Sequence, residues 1–183
     1  MQGLPRRKNL RLKSHDYSQT GCYFITICAY AQQTIFGRIP VGAIHESPAT
    51  ALPIMYQSPE GDIVEQVLLE IPNRYPAVEI DKHVIMPNHI HLLINVNEVL
   101  QNKERAIHES PLQRVERSLV SKVVGYLKMN ASKKIRVQNN KINNVWQRSY
   151  HDHIIRNEAE YLKIWQYIAE NPAKWADDCY YAK

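Results

Sequence analysis

The chain has 183 residues, 44% of them hydrophobic, which suits one domain with its own core and some decoration. Its 23 Lys and Arg outnumber 18 Asp and Glu, and the net charge of +5 leans toward a polyanionic partner without requiring one. No apolar run is long enough to cross a bilayer, the basic start MQGLPRRKNLRLKSHDY has no apolar signal core behind it, and Cys22, Cys28 and Cys179 form no CxxC pair or disulfide framework, so the expectation is a cytoplasmic protein with no membrane partner.

The chain opens on a basic arm, residues 1–20, where Arg6, Arg7, Lys8, Arg11 and Lys13 crowd together. CYFITICAYAQQTIFGRI (22–39) alternates aromatic, β-branched and small residues, which predicts two strands with a turn near Gln32 and Gln33. GDIVEQVLLEI (61–71) places apolar residues at 63, 64, 67, 68 and 71. That spacing predicts a helix with Asp62 as its N-cap, ended by Pro72 and Pro76. AVEIDKHVIM (77–86) alternates again, Pro87 and Asn88 make a turn, and the strand in VIMPNHIHLLINV (84–96) returns, so 77–96 predicts a hairpin. ERSLVSKVVGYLKMNASKK (116–134) repeats apolar positions 119, 120, 123, 124 and 127. This is an amphipathic helix whose other side is basic through Lys122, Lys128, Lys133 and Lys134, with Arg136 just beyond. NNVWQRSYHDHIIR (143–156) reads as a short strand or an extended loop. NEAEYLKIWQYIAENP (157–172) predicts a last helix, capped by Asn157, closed before Pro172, with Ile164, Trp165 and Ile168 as its packing stripe. Hairpins with interspersed helices argue for an α+β sandwich around an antiparallel sheet. The basic runs fit either solvated faces or nucleic-acid contacts, and charge alone does not choose.

Inside the strand of the central hairpin stand two histidines, His89 and His91. Residues i and i+2 of a strand share one face, roughly 7 Å apart along the chain. The two rings therefore project together, with Ile90 and Leu92 on the other side. Two neutral imidazoles that converge can share one divalent cation if a third ligand comes from elsewhere. A bare HxH also fits two polar residues on the exposed face of an edge strand. On the last helix, Tyr167 and Asn171 are four apart and share a face. Asn171 offers an amide oxygen to a metal, and Tyr167 offers a phenol. Tyrosines on amphipathic helices also serve as packing residues with wet tips, and the chain has 11 of them.

These blocks, in this order, resemble the REP-associated tyrosine transposases, a branch of the single-tyrosine HUH transposases. RLKSHDYSQTGCYFITICAYAQQTIFGRI resembles the family's opening, HVIMPNHIHLLI its His-apolar-His hairpin, SLVSKVVGYLK its central helix, and VWQRSYHDHIIRNEAEYLKIWQYIAENPAKW its C-terminal block. The resemblance covers nearly the whole chain. It implies one domain over 1–183: a ferredoxin-like or RRM-like antiparallel sheet with the HUH strand central and helices packed on it. The basic arm 1–20 and loop insertions near 41–60 and 100–115 would decorate it. It implies Tyr167 as nucleophile, and His89, His91 and Asn171 as ligands of Mg²⁺ or Mn²⁺. Relatives in the wider group carry Gln at the position of Asn171, and the shorter side chain reaches less far. The implied substrate is single-stranded DNA folded into palindromic hairpins, cut and rejoined through a covalent 5′-phosphotyrosine. Arg6, Arg7 and Arg11 of the arm, with Lys122, Lys128, Lys133 and Lys134, are the natural phosphate contacts. Tyr23, Trp146 and Tyr150 are candidates for base stacking or for buried packing. His151 and His153 form a second HxH, read as structural or DNA-contacting. The resemblance leaves monomer and homodimer both open. Three rivals remain: a catalytically silent DNA-hairpin binder of the same fold, a metal-dependent nuclease using water, and an RNA-binding sheet domain.

The hexapeptide AIHESP occurs twice, at 43–48 and at 106–111, with no solenoid period around it. Both copies fall between predicted elements, where insertions are tolerated. We read them as one short DNA repeat inserted twice into the gene, with His45 and His108 as bystanders. Deleting either hexapeptide is expected to leave DNA cleavage intact. Complete loss of cleavage in a deletant that still folds would overturn this reading.

Overall fold

The structure, a computed structural model, describes residues 20–40, 54–97 and 118–181. The arm with Arg6, Arg7 and Arg11, both AIHESP copies, and most of the two expected insertions lie outside the described residues. Strands β1 (Gly21–Cys28), β4 (Val78–Ile85), β5 (His89–Val96) and β6 (His151–Ile155) form one antiparallel sheet in the order β4-β5-β1-β6. Helix α1 (Pro59–Arg74) joins the first half and α2 (Leu119–Gln138) the second. This is the ferredoxin-like βαββαβ arrangement, and the HUH strand is central. Helix α3 (Glu158–Glu170) follows β6. Among the described residues no helix is long and apolar enough to cross a membrane.

Period-two alternation divides the sheet into two faces with different tasks. Tyr23, Ile25 and Ile27 of β1 and Ile90, Leu92 and Ile94 of β5 are fully buried on one face. Against them pack Ile63, Val64, Val67, Leu68 and Ile71 of α1, and Val120, Val123, Val124, Leu127, Ala131 and Ile135 of α2. Phe24, Thr26 and Cys28 point the other way, beside His89 and His91 on the neighbouring strand. That second face carries α3 and the C-terminal turn. Of α3 only Ile168 is buried. Trp165, expected in the packing stripe, is 40% exposed and lies over the Lys82 ammonium instead. Trp146 and Tyr23 are packed into the core and are not free platforms for bases.

Three boundaries differ from expectation. The second strand of 22–39 does not pair with β1. The chain leaves β1 through left-handed Ala31 and Gln32 (φ 51° and 55°). Residues 37–38 then form β2 (Gly37–Arg38) with β3 (Tyr56–Gln57) in a small separate sheet. The edge of β1 is taken by 145–147 and β6: Tyr30 N–H donates to Val145 O, and Ala29 bridges Trp146. Helix α1 starts before Asp62, because Ser58 caps it and Pro59 presets the first turn. It also runs two residues past Pro72 to Arg74, since one missing donor in the final turn is tolerated. α2 begins after its cap Ser118 and extends beyond 134.

The α1 cap also locks the helix to the loop before it. Ser58 Oγ donates to Ile35 O (2.6 Å) and accepts from Gly61 N–H (3.1 Å). A Cβ on Gly61 would stand 2.2 Å from the Phe36 carbonyl oxygen. Ser58→Ala should therefore cost about 1–2 kcal/mol of stability. Gly61→Ala should destabilise too, although alanine gains about 1 kcal/mol in a helix elsewhere. Urea midpoints at constant slope measure both. A stabilised Gly61→Ala would show that this backbone approach is looser than described.

Candidate metal and nucleophile site

His89 and His91 are 0% and 1% exposed, at the centre of the sheet, which removes the edge-strand alternative. Their Nε2 atoms face each other at 3.0 Å. The network around them assigns the protons. Asn88 Nδ2 donates to Tyr180 O (2.7 Å) and Gln32 O (3.3 Å), so its Oδ1 is the atom turned to His89 Nδ1 at 2.9 Å. An amide oxygen only accepts, so His89 Nδ1 carries the hydrogen and Nε2 keeps its lone pair. Thr26 Oγ1 stands 2.8 Å from His91 Nδ1 and accepts in the same way when His91 takes the matching tautomer. Burial pushes the His89 pKa down to about 4, with Asp178 opposing. Burial, and then the neighbouring His89, hold His91 well below the ordinary histidine range. Both rings are neutral at pH 7 with their Nε2 atoms converging, and with hydrogen on both Nδ1 atoms each Nε2 would offer its lone pair to a metal.

The remaining donors come from the C-terminal segment. The Asp178 carboxylate joins the two imidazoles, all three ligand atoms lying within 4.8 Å of one another. Asn171 opens the 3-10 turn that follows α3 and is buried, and its Oδ1 has no hydrogen-bond partner. A buried amide oxygen without a partner is costly and fits a cation ligand. Two imidazole nitrogens with a carboxylate oxygen form a donor set for a borderline-to-hard divalent ion such as Mn²⁺ or Mg²⁺. Asp178 was not singled out from the sequence, because an Asp seven residues past an asparagine carries no periodic signal. Thr26 had one: it is polar inside the apolar run FITIC. Asn88 was read only as a turn residue.

Tyr167 lies over this cluster. Its hydroxyl is 3.4 Å from His91 Nε2, its ring stands edge-on to Phe24, and the residue is 40% exposed. A group that touches the ligand cluster and still meets solvent can receive a substrate. Burial and then the Asp178 charge raise the phenol's pKa, while the Asn171 amide pulls it down. Tyr180 is the nearest competitor, but its ring stacks on His89 at 4.6 Å and burial pushes its hydroxyl up to about 12.

The structure separates the predicted basic residues. Lys134 pairs with Glu70 of α1 at 2.7 Å. Lys128 turns its ammonium to the carbonyls of Gln147, Arg148 and Ser149. Lys122 and Lys133 are exposed on α2. His151 and His153 project from edge strand β6 on the His91 face, yet His153 pairs with Glu160 (2.7 Å) and neither joins the ligand cluster.

No family model matches the chain. A Haemophilus influenzae protein described only as uncharacterized is 34% identical over 183 positions, spanning 98% of this chain and 95% of that one. Among solved structures, a REP-associated tyrosine transposase bound to a REP hairpin matches 90% of this chain and 74% of its own, with a TM-score of 0.58 and 16% identity. At that identity the likeness is one of fold.

Asn88→Ala and Thr26→Val remove the hydrogen bonds that set the two tautomers. Each should weaken Mn²⁺ binding by about 10–100-fold, while Tyr167→Phe leaves it within twofold. Titration calorimetry with Mn²⁺ measures this. Unchanged affinity in both orienting variants would remove the tautomer argument.

Proposed function

We propose that this chain, which belongs to one family with the Haemophilus influenzae protein and has the fold of the REP-associated tyrosine transposase, is itself such an enzyme: a metal-dependent transposase that cleaves and rejoins hairpin-forming single-stranded DNA through a phosphotyrosine. One observation carries the reading. The Tyr167 hydroxyl is 3.4 Å from the ring nitrogen of a buried, neutral histidine pair, and the Asp178 carboxylate stands with both imidazoles.

The chemistry follows from these positions. A divalent cation held by His89, His91, Asn171 and Asp178 would draw charge from a non-bridging phosphate oxygen and orient the phosphorus. Tyr167 attacks in line: its oxygen bonds to phosphorus and the bond to the 3′ oxygen breaks. The phenol gives up a proton and the departing oxygen gains one, so the strand ends in a free 3′-OH. The 5′ phosphate stays on Tyr167. The ester keeps the energy of the broken bond, so a second 3′-OH can reverse the step without ATP. Phe24 stacks on His91 and meets Tyr167 edge-on, which fixes the approach of both rings. The hairpin named in the solved relative, together with the excess of basic residues, supports DNA as partner. Lys122, Lys133 and the arm residues Arg6, Arg7 and Arg11 are proposed phosphate contacts.

The test is a denaturing gel with labelled hairpin-forming single strands and Mn²⁺. Wild type should give a covalent protein–DNA band that EDTA abolishes and that falls at least a thousandfold, to background, in Tyr167→Phe. Cutting without a covalent band would assign a water nucleophile. Binding without cutting would assign a silent hairpin-binding protein.

A further inference from the structure

The repeated hexapeptide AIHESP stands in two unlike places. Residues 43–48 lie in the connection between β2 and β3, and residues 106–111 in the connection between β5 and α2. The first joins two short antiparallel strands, and the second leads from the central strand to a long helix. The described sheet and the described Tyr167 cluster are built without either copy. Two connections with such different tasks give no structural reason for the same residues in the same order. Connections of this kind do tolerate added sequence. The common cause is therefore sought in the DNA.

The genetic code supplies one. Ala, Ile, His, Glu, Ser and Pro are spelled GCN, ATH, CAY, GAR, TCN and CCN. About a centre inside the His codon, the G of Ala faces the C of Pro, the A of Ile faces the T of Ser, and the C of His faces the G of Glu. The residues themselves impose these Watson–Crick matches. Choice of third base completes every other pair, and only one spelling does so: GCG ATT CAT GAA TCG CCC. The residue ahead of the copies is Gly42 in one case and Arg105 in the other. Both have G as second codon base, which pairs with the last C of that spelling. The outer flanks extend the pattern. Val41 and Gly42 before the first copy, as GTA GGG, complement Leu112 and Gln113 after the second, as CTA C.

A strand with this spelling folds on itself. Its arms GGGCGATT and AATCGCCC pair around a CATG loop to make a hairpin. A self-complementary insert also reads the same in either orientation, so both copies would encode the same residues whichever way each was inserted. We propose that this palindrome is the hairpin that the protein recognises, and that its gene carries two copies of the protein's own target. This rests on the reading of the chain as a transposase of hairpin-forming strands, and it gives that substrate a base sequence. The hexapeptides are then a translated trace of the DNA and have no task in the folded chain.

The nucleotide sequence of the gene is one test. Both copies should use the self-complementary spelling, although synonymous codons could write AIHESP in many other ways. Codons that abolish the stem in either copy overturn the proposal. Binding is the other test. The full-length protein is given two labelled single strands with the gene's flanking nucleotides: the native hairpin, and one with the same loop and the same arm composition in shuffled, still self-complementary order. Wild type should bind the native arms at least about tenfold more tightly, since even one wrong base pair in a recognised site has an effect of that size. Tyr167→Phe should keep this preference and lose the covalent band in Mn²⁺. Equal affinity for native and shuffled arms overturns the palindrome as target, and a covalent band on both strands then leaves the transposase reading standing. Preference for the native arms without a covalent band on either strand supports the palindrome and overturns the transposase reading. Absence of both binding and the band overturns both.

Discussion

The Nε2 atoms of His89 and His91 face each other at 3.0 Å, with both rings buried and neutral. At that distance the two nitrogens share one hydrogen or one cation between them, since two facing lone pairs would repel. The protein holds them there by spending hydrogen bonds on the far nitrogens. Asn88 is itself pinned by two carbonyls, one from the loop after β1 and one from the C-terminal turn. Thr26 comes from the neighbouring strand. Register, turn and tail therefore all converge on one orientation of two side chains. A slip of one residue between β1 and β5 would send both imidazoles into the hydrocarbon core.

Much of this was readable in the chain. The 3.6-residue periods of α1 and α2 and the period-two runs of β1, β4 and β5 survive as the core, because each buries a complete face. The shared face of His89 and His91 followed from strand geometry alone, and the shared face of Tyr167 and Asn171 from helix geometry. What the pattern could not supply was competition between distant segments. Residues 37–38 resemble a hairpin partner of β1, but 145–155 occupies that edge and wins the ladder. Asp178 and the Ala29–Trp146 bridge likewise depend on how the chain returns, and no local period encodes that. Trp165 was assigned to the packing stripe by spacing. A cation over its ring, with solvent on the other side, satisfies it equally well.

The basic residues illustrate the same limit. Lys122, Lys128, Lys133 and Lys134 look equivalent along α2. In three dimensions one ammonium neutralises Glu70, one braces backbone carbonyls, and Lys122 and Lys133 lie on the exposed side of the helix. The exposed pair with Glu70 contributes little to stability. Lys128 is different in kind, since its partners are three successive peptide oxygens and not a carboxylate.

The unequal loading of the two sheet faces has an evolutionary meaning. The larger core lies beneath α1 and α2, whereas α3 commits a single buried side chain to the sheet. Side chains on the outward part of α3, Tyr167 among them, can therefore change while the scaffold stays intact. Descendants altered on that face could persist as well-folded recruits for other duties, and selection would have little difficulty keeping them.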